Sequence, residues 1–417
     1  MRDLPLIIEP WDGANIVTCA QALADTPYCL FFDSNRPAHP LNQYSILLWN
    51  PLETMVNQDW HHIKKRMDQY NFTLPDNAPN LPFYGGLAGY VGYDKTNSHW
   101  GIYSCALIHD HHADQSWVIY GDKEQKDFLQ RALSSITEHA PTNTQNIEWH
   151  SNINDQDYCT KIEQILNHIN QGNVYQVNLT RQFFASRPDG FHPFTHYKKL
   201  RAINAAPFGA YMNLGTHHIL SSSPERFISI RHGIIETRPI KGTLHASQAP
   251  DLLYNDPKER AENIMVVDLL RNDISKASKT GSVKVTKLCD IETFEGLHHM
   301  VSTIQSTLDT GSTPFDLLQK TLPGGSITGT PKIAAMQLIK QLEPQPRYIY
   351  CGCLGYIGFD TPHGYSMDTN IAIRTLVIDK KQISFGVGGG IVSDSIPDKE
   401  LEETYLKAQK IFDSFKA

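Results

Sequence analysis

The segment Gly89-Tyr-Val-Gly-Tyr-Asp94 recurs near the other end of the chain as Gly355-Tyr-Ile-Gly-Phe-Asp360. Aromatic and β-branched residues around both copies are typical of strands, and a glycine inside a strand marks a bend or the close approach of another backbone. The repeat predicts two similar glycine-bent strands in two related sheets. We therefore expect one core that both halves of the chain share, instead of two independent domains.

The composition is that of an ordinary globular protein. The 417 residues are 40% hydrophobic and 19% charged, which allows a large buried core and excludes collagen, coiled-coil and disordered chains. The net charge is −7 and there is no basic block, which argues against a nucleic-acid partner. No apolar run approaches the roughly 18 residues of a membrane span, and the N-terminus lacks a secretion-signal pattern. We expect a cytoplasmic protein without membrane contact, whose seven scattered cysteines stay reduced.

The chain is expected to divide near residue 150. Residues 1–149 alternate short apolar runs with Pro and Gly and should contribute to the shared β-sandwich, and the stretch 142–146 has the composition of a linker. Residues 150–417 should form the second unit, with strands, hairpins and clear helices. The helices are predicted at about 155–171, 257–274, 313–321, 331–342 and 397–415. The pattern favours an α/β or α+β enzyme and gives little support to a dinucleotide-binding fold.

The helix that begins after Asp256 carries a Glu-x-x-Glu pair. Asp256 is a good N-cap followed by Pro, which puts Glu259 at the third helical position of a capping box. Capping alone explains Glu259. At helical spacing, however, Glu259 and Glu262 also extend the apolar face of the helix.

The last helix repeats this arrangement, because Glu400, Glu403 and Lys407 share an arc beside its apolar stripe. The simpler interpretation is a solvent-exposed Glu403–Lys407 pair, which stabilises a helix by a few tenths of a kcal/mol. Two such pairs of glutamates suggest more, since four buried carboxylates would repel one another strongly without a divalent cation. Hard oxygen ligands favour Mg²⁺.

The segment 218–243 reads as a hairpin that turns at Gly233 and carries an acid and an amine. A three-residue loop would place Glu225 opposite Lys241, whereas a two-residue loop would put them on opposite faces. The sequence leaves both registers open, and a surface ion pair is the simpler interpretation. In a dry pocket, Lys241 could act as a nucleophile and Glu225 as a proton donor.

Two glycine-rich segments and one arginine are candidates for anion binding. The segment 322–332 leads into a helix with Thr330 as predicted N-cap and Pro331 at the first helical position, and such an N-terminus binds anions. It fails as a P-loop, because Thr-Pro-Lys stands where Lys-Ser/Thr is required. The loop 386–390 offers close backbone approach or simply a bent strand. Arg374 lies in an otherwise apolar predicted strand and would need an anion, such as a substrate carboxylate.

Several ordered motifs together resemble those of the chorismate-utilising enzymes, which include anthranilate synthase component I, aminodeoxychorismate synthase component I, isochorismate synthase and salicylate synthase. The resemblance runs from about residue 150 to the end, with a weaker match at 83–89. The motifs are Tyr175-Gln-Val-Asn-Leu-Thr, Ser223-Pro-Glu, Arg238-Pro-Ile-Lys-Gly-Thr, Lys258-Glu-Arg-Ala-Glu, His298-His-Met-Val-Ser, Gly329-Thr-Pro-Lys, the loop 386–390 and Glu400-Leu-Glu-Glu-Thr.

The resemblance implies an α+β fold of the anthranilate synthase component I type, with two antiparallel β-sheets packed face to face and helices outside. It implies that Glu225 is the general acid for the departing C4 hydroxyl of chorismate. It also implies a Mg²⁺ that holds the ring carboxylate and is surrounded by Glu259, Glu262, Glu400 and Glu403. The further substrate-binding positions that it implies are Gln176, Thr243, His299, Thr330, Tyr350, Arg374, Gly388, Gly389 and Lys407.

Two positions distinguish the members of this family. In the water-adding isochorismate and salicylate enzymes, a lysine at the position of Gln176 activates water, and Gln cannot act as that base. Anthranilate synthases typically carry Ala at the position of Lys241, whereas aminodeoxychorismate synthases carry Lys. The resemblance therefore implies that the Lys241 amine adds at C2 while Glu225 helps to expel the C4 hydroxyl, after which ammonia adds at C4 and displaces the lysine.

The implied product is 4-amino-4-deoxychorismate, the precursor of p-aminobenzoate and folate. Nothing in the chain resembles a glutaminase, because Cys351-Gly-Cys353-Leu-Gly355 lacks the first Gly of a Gly-x-Cys-x-Gly elbow. Ammonia is therefore expected from a separate glutamine amidotransferase subunit. The alternatives are anthranilate synthase component I, a non-catalytic chorismate-binding sensor and, as a weak third, a phosphate-transfer enzyme built on residues 324–332.

Overall fold

The computed structural model describes residues 1–36, 39, 41–137, 139, 147–294, 296–360 and 364–416. In this part of the chain, two large sheets in which every neighbouring pair is antiparallel are combined with helices. This architecture confirms the expected α+β class. The predicted linker at 142–146 lies outside the described residues.

The first sheet has 12 strands and contains the glycine-rich strand near the C-terminus. Its order is β11-β12-β24-β23-β14-β13-β3-β4-β9-β10-β2, with β20 on β12. The strands are β2 (Ile7–Pro10), β3 (Leu30–Asp33), β4 (Tyr44–Leu48), β9 (Ala106–Asp110), β10 (Gln115–Tyr120), β11 (His150–Ser151), β12 (Gln176–Ser186), β13 (Phe208–Asn213), β14 (His218–Ser223), β20 (Gly329–Thr330), β23 (Thr375–Ile378) and β24 (Gln382–Ile391).

The second sheet has 10 strands in the order β17-β19-β16-β15-β22-β21-β7-β8-β5, with β18 on β19. The strands are β5 (Glu53–Val56), β7 (Gly86–Val91), β8 (Ser98–Tyr103), β15 (Arg226–Arg231), β16 (Ile234–Thr237), β17 (Ile240–His245), β18 (Lys284–Phe294), β19 (Leu297–Thr307), β21 (Cys353–Asp360) and β22 (Gly364–Ile371). A separate parallel pair joins β1 (Arg2–Pro5) to β6 (Tyr70–Thr73). Residues before 150 thus supply strands to both large sheets.

The two repeated glycine segments lie side by side in the second sheet, as β7 and β21, with Gly89 directly opposite Gly355. The expectation that they belong to two different sheets is wrong. A Cβ atom on Gly89 would stand 1.9 Å from the carbonyl oxygen of His99, and one on Gly355 would stand 2.2 Å from that of Asp368. The repeat therefore reflects close packing of neighbouring strands at the centre of one sheet.

The five predicted helices are confirmed to within one or two residues as α4, α7, α8, α9 and α10, while α1, α2, α3, α5 and α6 were not predicted. Asp256 caps α7 as expected, accepting hydrogen bonds from the backbone of Lys258 and Glu259. The helices are α1 (Ile16–Leu23), α2 (Trp60–Met67), α3 (Lys123–Ser134), α4 (Asp155–Asn170), α5 (Pro193–Ile203), α6 (Pro250–Tyr254), α7 (Pro257–Ser275), α8 (Pro314–Thr321), α9 (Lys332–Leu342) and α10 (Pro397–Ser414).

The main core lies between the two sheets, and a second core lies between the first sheet and its covering helices. Alternation along β3 shows the division, because Leu30 joins the core between the sheets whereas Phe31 joins the second one. Leu87 and Trp100 bring the second sheet into the main core. The sheets therefore pack face to face, and helices such as α10 cover the outer side of the first sheet. None of the helices in the described ranges combines the length and hydropathy that a membrane crossing requires.

Candidate active site

A cavity of about 540 Å³ is lined by side chains from both sheets and from the helices α7 and α10. Most of the residues singled out from the sequence line it. These are Glu225, Lys241, Thr243, Glu259, Glu262, His299, Tyr350, Arg374, Gly388, Glu400, Glu403 and Lys407. The other three, Gln176, Thr330 and Gly389, are not among its lining residues. Gly389 lies between the lining residues Gly388 and Gly390, Gln176 packs against Gly390, and Thr330 pairs with Gln176.

Glu225 and Lys241 both line the cavity, but neither of the two hairpin registers considered from the sequence explains how they come together. The hairpin turns through the two-residue loop 232–233, a register that would place the two side chains on opposite faces. The pairing stops before it reaches them, however, because β15 begins at Arg226, next to a β-bulge, and β16 ends at Thr237. Both side chains are partly buried in the same cavity, so the interpretation as a surface ion pair is wrong.

The environment of Glu225 suits a proton donor. Burial raises the pKa of its carboxyl group, while the amine of Lys241 and a hydrogen bond from Ser326 oppose that rise. The Ser326 hydroxyl donates to Oε1 of Glu225 across 3.3 Å. A carboxyl group with a raised pKa keeps its proton closer to neutral pH, as general-acid catalysis requires.

A bulge in β17 fixes the position of Lys241. The pairing of β17 with β19 shifts register between Lys241 and Thr243, and Gly242 between them has a φ of +73°. A Cβ atom at this position would stand 3.0 Å from Oε2 of Glu259. The positive φ favours glycine at this position, and the lack of a side chain also lets the Glu259 carboxylate come close.

The two glutamates of α7 point into the cavity. Glu259 stands at the third helical position, as predicted, but its carboxylate lines the cavity wall. Burial raises the pKa of Glu259, and the negative charge of Glu262 adds to that effect. Lys258 approaches Glu262 only at 4.0 Å. This wall of the cavity thus concentrates negative charge.

The glutamates of α10 face them from another wall. Burial also raises the pKa of Glu400, with a contribution from Glu403 and an opposing hydrogen bond from Ser395 at 2.7 Å. The predicted Glu403–Lys407 ion pair is present at 2.5 Å, with both side chains partly exposed. The Lys407 amine also donates to the carbonyl of Gly388 at 2.9 Å, so it joins the helix to the glycine-rich strand.

The chemistry of these donors fits a hard divalent cation. Four carboxylates line one cavity, and two of them have pKa values raised by burial and by a neighbouring like charge, a strain that a cation would relieve. No three of the four present oxygens within 4.8 Å of one another, whereas Asp25, His139 and His192 do form such a group among the described residues. The two histidine rings stack at 3.8 Å and 16°, and Nε2 of each lies within 3.5 Å of the Asp25 carboxylate.

Arg374 is a cation without a partner in the described part of the protein. It lies between β22 and β23 with a φ of +51°, so the expectation that it belongs to a strand is wrong. Its guanidinium lines the cavity without a hydrogen bond or ion pair to any described residue. Burial, together with the charge of Arg36, lowers its pKa. An anionic ligand would satisfy it.

The glycines of β24 allow this strand to pass close to its neighbours. A Cβ atom on Gly386 would stand 2.3 Å from the ring of Tyr350, and one on Gly389 would stand 3.2 Å from Oε2 of Glu400. β24 continues unbroken through this segment. The glycines therefore let an aromatic wall and a candidate metal ligand reach the cavity from opposite faces of the strand.

Thr330 does not cap the following helix, contrary to expectation. Its backbone pairs with Gln176 in the ladder between β20 and β12, and α9 begins only at Lys332, without a side-chain cap. Gln176 is buried against Gly390, and its Oε1 has no hydrogen-bond partner in the described structure. Thr243 contacts the imidazole of His299 at 3.1 Å, and burial lowers the pKa of that histidine to about 4. At neutral pH, His299 is therefore uncharged.

Sequence reasoning missed several further cavity residues, among them Asn178, Ser326, Arg36 and His39. Asn178 follows Gln176 by two positions on the same strand, a spacing that places both on one face and could have identified it. Ser326 lies within the glycine-rich segment 322–332, whose sequence indicates only anion binding. Its contact with Glu225 brings together distant parts of the chain, and no local pattern indicates it.

Comparison with known proteins places the chain in a family. The family model described as chorismate binding enzyme matches residues 27–413. The chain therefore belongs to the chorismate-binding enzymes, and the family expected from the motifs is confirmed.

Within this family, the chain is similar to particular enzymes over most of its length. It is 37% identical to aminodeoxychorismate synthase component 1 of Salmonella typhimurium, with 92% of each chain covered, and 35% identical to that of Escherichia coli, with 93% of each covered. Among solved structures, anthranilate synthase component I from Streptococcus pneumoniae superposes with a TM-score of 0.76 at 29% identity, covering 88% of this chain and 91% of the other.

Proposed function

We propose that this protein converts chorismate and ammonia into 4-amino-4-deoxychorismate, the precursor of p-aminobenzoate and folate. The observation that carries the proposal is the presence of Lys241 in the same cavity as Glu225, which supplies a nucleophile and a proton donor together. The similarity to aminodeoxychorismate synthase component 1 over more than nine-tenths of both chains supports this choice within the family.

Chorismate would be held by its two carboxylates. The partnerless guanidinium of Arg374 would bind the enolpyruvyl carboxylate, with Tyr350 and the backbone of residues 388–389 completing that pocket. The four glutamates would hold Mg²⁺, which supplies the positive charge that binds the ring carboxylate. The neutral His299, with its neighbour Thr243, and Lys407 would line the remaining wall.

The first chemical step would release water. The lone pair of the Lys241 amine nitrogen forms a bond to C2, the ring double bonds shift, and the C4–oxygen bond breaks as Glu225 transfers its proton to the departing hydroxyl. Ammonia then forms a bond to C4, the double bonds shift back, and the C2–nitrogen bond breaks to release the lysine. Glu225 has to be protonated at the start, as its burial favours.

Ammonia would come from a separate glutamine amidotransferase subunit. Gln176 stands where a lysine would be needed to activate water, and an amide cannot act as that base. Its buried Oε1, without a described partner, is a hydrogen-bond acceptor for an incoming N–H or O–H donor. The lack of a base at this position favours ammonia, which needs no activation, over water as the incoming nucleophile.

The proposal is tested by identifying the product that the purified protein makes from chorismate, Mg²⁺ and a high concentration of ammonium salt. A product with the mass of aminodeoxychorismate, converted to p-aminobenzoate by an added lyase, is the expected result. Fluorescent anthranilate with pyruvate would instead assign the protein to tryptophan synthesis. Mg²⁺-dependent chorismate binding without turnover would indicate a sensor.

A further inference from the structure

A buried ion pair lies directly behind the cavity wall. Arg347 and Glu343, with side chains only 1% and 5% exposed, are joined by two hydrogen bonds of 2.8 and 2.7 Å. The guanidinium also stacks over the ring of Tyr93, 4.6 Å from its centroid. Neither charged residue lines the cavity itself.

This pair ties together three segments that are distant in the chain. Arg347 donates to the carbonyl of Ile327 at 2.7 Å and to that of Asn178 at 2.7 Å. Glu343 accepts hydrogen bonds from the backbone and the hydroxyl of Thr180, each at 2.9 Å. Through these hydrogen bonds, the ion pair links the short turn at 325–327 to strand β12.

The turn at 325–327 and strand β12 both carry residues of the cavity wall. The turn presents Ser326, whose hydroxyl donates to Glu225, and β12 presents Asn178. The carbonyl of Arg347 accepts a hydrogen bond from the backbone of Tyr350 at 3.0 Å. Asn178 and Tyr350 thus form hydrogen bonds with Arg347 through their backbone atoms. Ser326 is the chain neighbour of Ile327, whose carbonyl accepts a hydrogen bond from Arg347.

We propose that Arg347 and Glu343 are positioning residues of the reaction, which hold the turn so that the Ser326 hydroxyl stays within hydrogen-bonding distance of the Glu225 carboxyl. This inference rests on the proposed function, in which Glu225 is the proton donor. A hydrogen bond donated to the ionised carboxylate favours that form. Loss of the bond would raise the pKa of Glu225 and leave the acid less suited to release its proton.

The energetics of buried charges separate this role from simple stabilisation. An apolar pair of similar volume often replaces a buried ion pair with little loss of stability, whereas removal of one partner leaves an uncompensated charge. The double variant Arg347→Met/Glu343→Leu should therefore fold, yet it cannot donate to the carbonyl of Ile327. Catalysis and stability should then respond differently to the same change.

The experiment measures kcat, KM and the thermal midpoint for Arg347→Lys, Arg347→Met/Glu343→Leu and Ser326→Ala, between pH 6 and 10, with free ammonia held constant. Arg201→Lys is the control, because Arg201 forms a comparable two-bond pair with Asp33 away from the cavity. We expect kcat to fall about tenfold to a hundredfold in the three test variants, with little change in KM. In a plot of kcat against pH, the decline at high pH (the basic limb) should move to higher pH in all three test variants. It should stay in place in the control.

Combining Arg347→Lys with Ser326→Ala should move the limb no further than either change alone, since both act through one hydrogen bond. A limb that stays in place in the two Arg347 variants, whatever their thermal midpoints, would overturn the positioning role. Failure of the wild-type protein to make aminodeoxychorismate would instead reject the proposed function, and the inference with it.

Discussion

Glu225 and Arg226 are neighbours in the chain but line two different cavities. Arg226 lines a cavity of about 350 Å³ between the sheets, where it makes two hydrogen bonds of 2.9 Å to Asp368 and stacks over Phe208. Glu225 lines the cavity of about 540 Å³, where Arg374 has no ion-pair partner among the described residues. In this comparison, the paired charges of Arg226 and Asp368 serve stability, whereas the unpaired charge of Arg374 is available to bind an anionic ligand.

The largest effect is expected from Lys241→Ala, which removes the nucleophile. Amination of chorismate should be abolished, both with ammonium salt and with a glutaminase partner, because the amine that forms the adduct is gone. Product formation measured by mass spectrometry checks this, with the exposed Lys284→Ala as the control. Full activity in Lys241→Ala would show that the lysine only positions the substrate.

Glu225→Gln should lower kcat by about 10²–10⁴-fold, the usual contribution of a general acid. Because burial penalises the charged form, the amide should leave the thermal midpoint unchanged or raise it. For the wild type, kcat should fall as the pH rises through the pKa of Glu225, which burial has raised, and this limb should be absent in the variant. A variant that keeps the wild-type pH profile would assign the proton donor elsewhere.

Arg226→Met should show the opposite pattern, a loss of stability without a specific loss of catalysis. Removal of one partner of a buried pair costs about 3–5 kcal/mol, because the carboxylate of Asp368 is left without its cation. Urea denaturation measures this, and Arg226→Met/Asp368→Leu should recover most of the loss. Equal losses in the single and double variants would show that packing, not charge pairing, sets the stability of this cavity.

Arg374→Gln should raise KM for chorismate by about 10–100-fold, as the loss of a charge-assisted hydrogen bond of about 1.5–3 kcal/mol implies. Burial lowers the pKa of Arg374, so the neutral side chain should not lower the thermal midpoint. Steady-state kinetics and calorimetry separate the two effects. A drop in thermal stability with an unchanged KM would reclassify Arg374 as structural.

The smallest effect concerns the pH dependence of Mg²⁺ binding. Glu259 and Glu400 have raised pKa values, so protons compete with the cation, and Mg²⁺ affinity should increase by up to about tenfold per pH unit for each proton displaced. The folded, metal-free protein binds these protons more tightly than the unfolded chain. The stability that these protons give the metal-free protein is therefore lost as the pH rises. The stabilisation that bound Mg²⁺ adds should grow over the same range. Titration calorimetry at several pH values checks this, and a pH-independent affinity would contradict it.

Local patterns predicted the elements well, because caps and periodicity act within a few residues. Asp256 marked the start of α7, and the glutamates on one face of α7 and of α10 were found to line one cavity. The roles assigned to these residues and the division near residue 150 stay predictions.

Long-range pairing explains what the sequence could not predict. Thr330 was expected to cap a helix, but its backbone is engaged by β12, a strand far away in the sequence. The approach of Glu225 to Lys241 depends on a bulge and on where two strands end, neither of which leaves a residue pattern. Arg374 was assigned to a strand from its apolar neighbours, yet it stands at a break with a positive φ.

The most direct test of the account is the intact mass of the protein after incubation with chorismate and Mg²⁺ in the absence of ammonia. The account predicts a covalent adduct that adds the mass of chorismate less one water, located on Lys241 by peptide mapping and discharged as aminodeoxychorismate when ammonium is added. An unmodified protein that nevertheless forms aminodeoxychorismate with ammonium would contradict it.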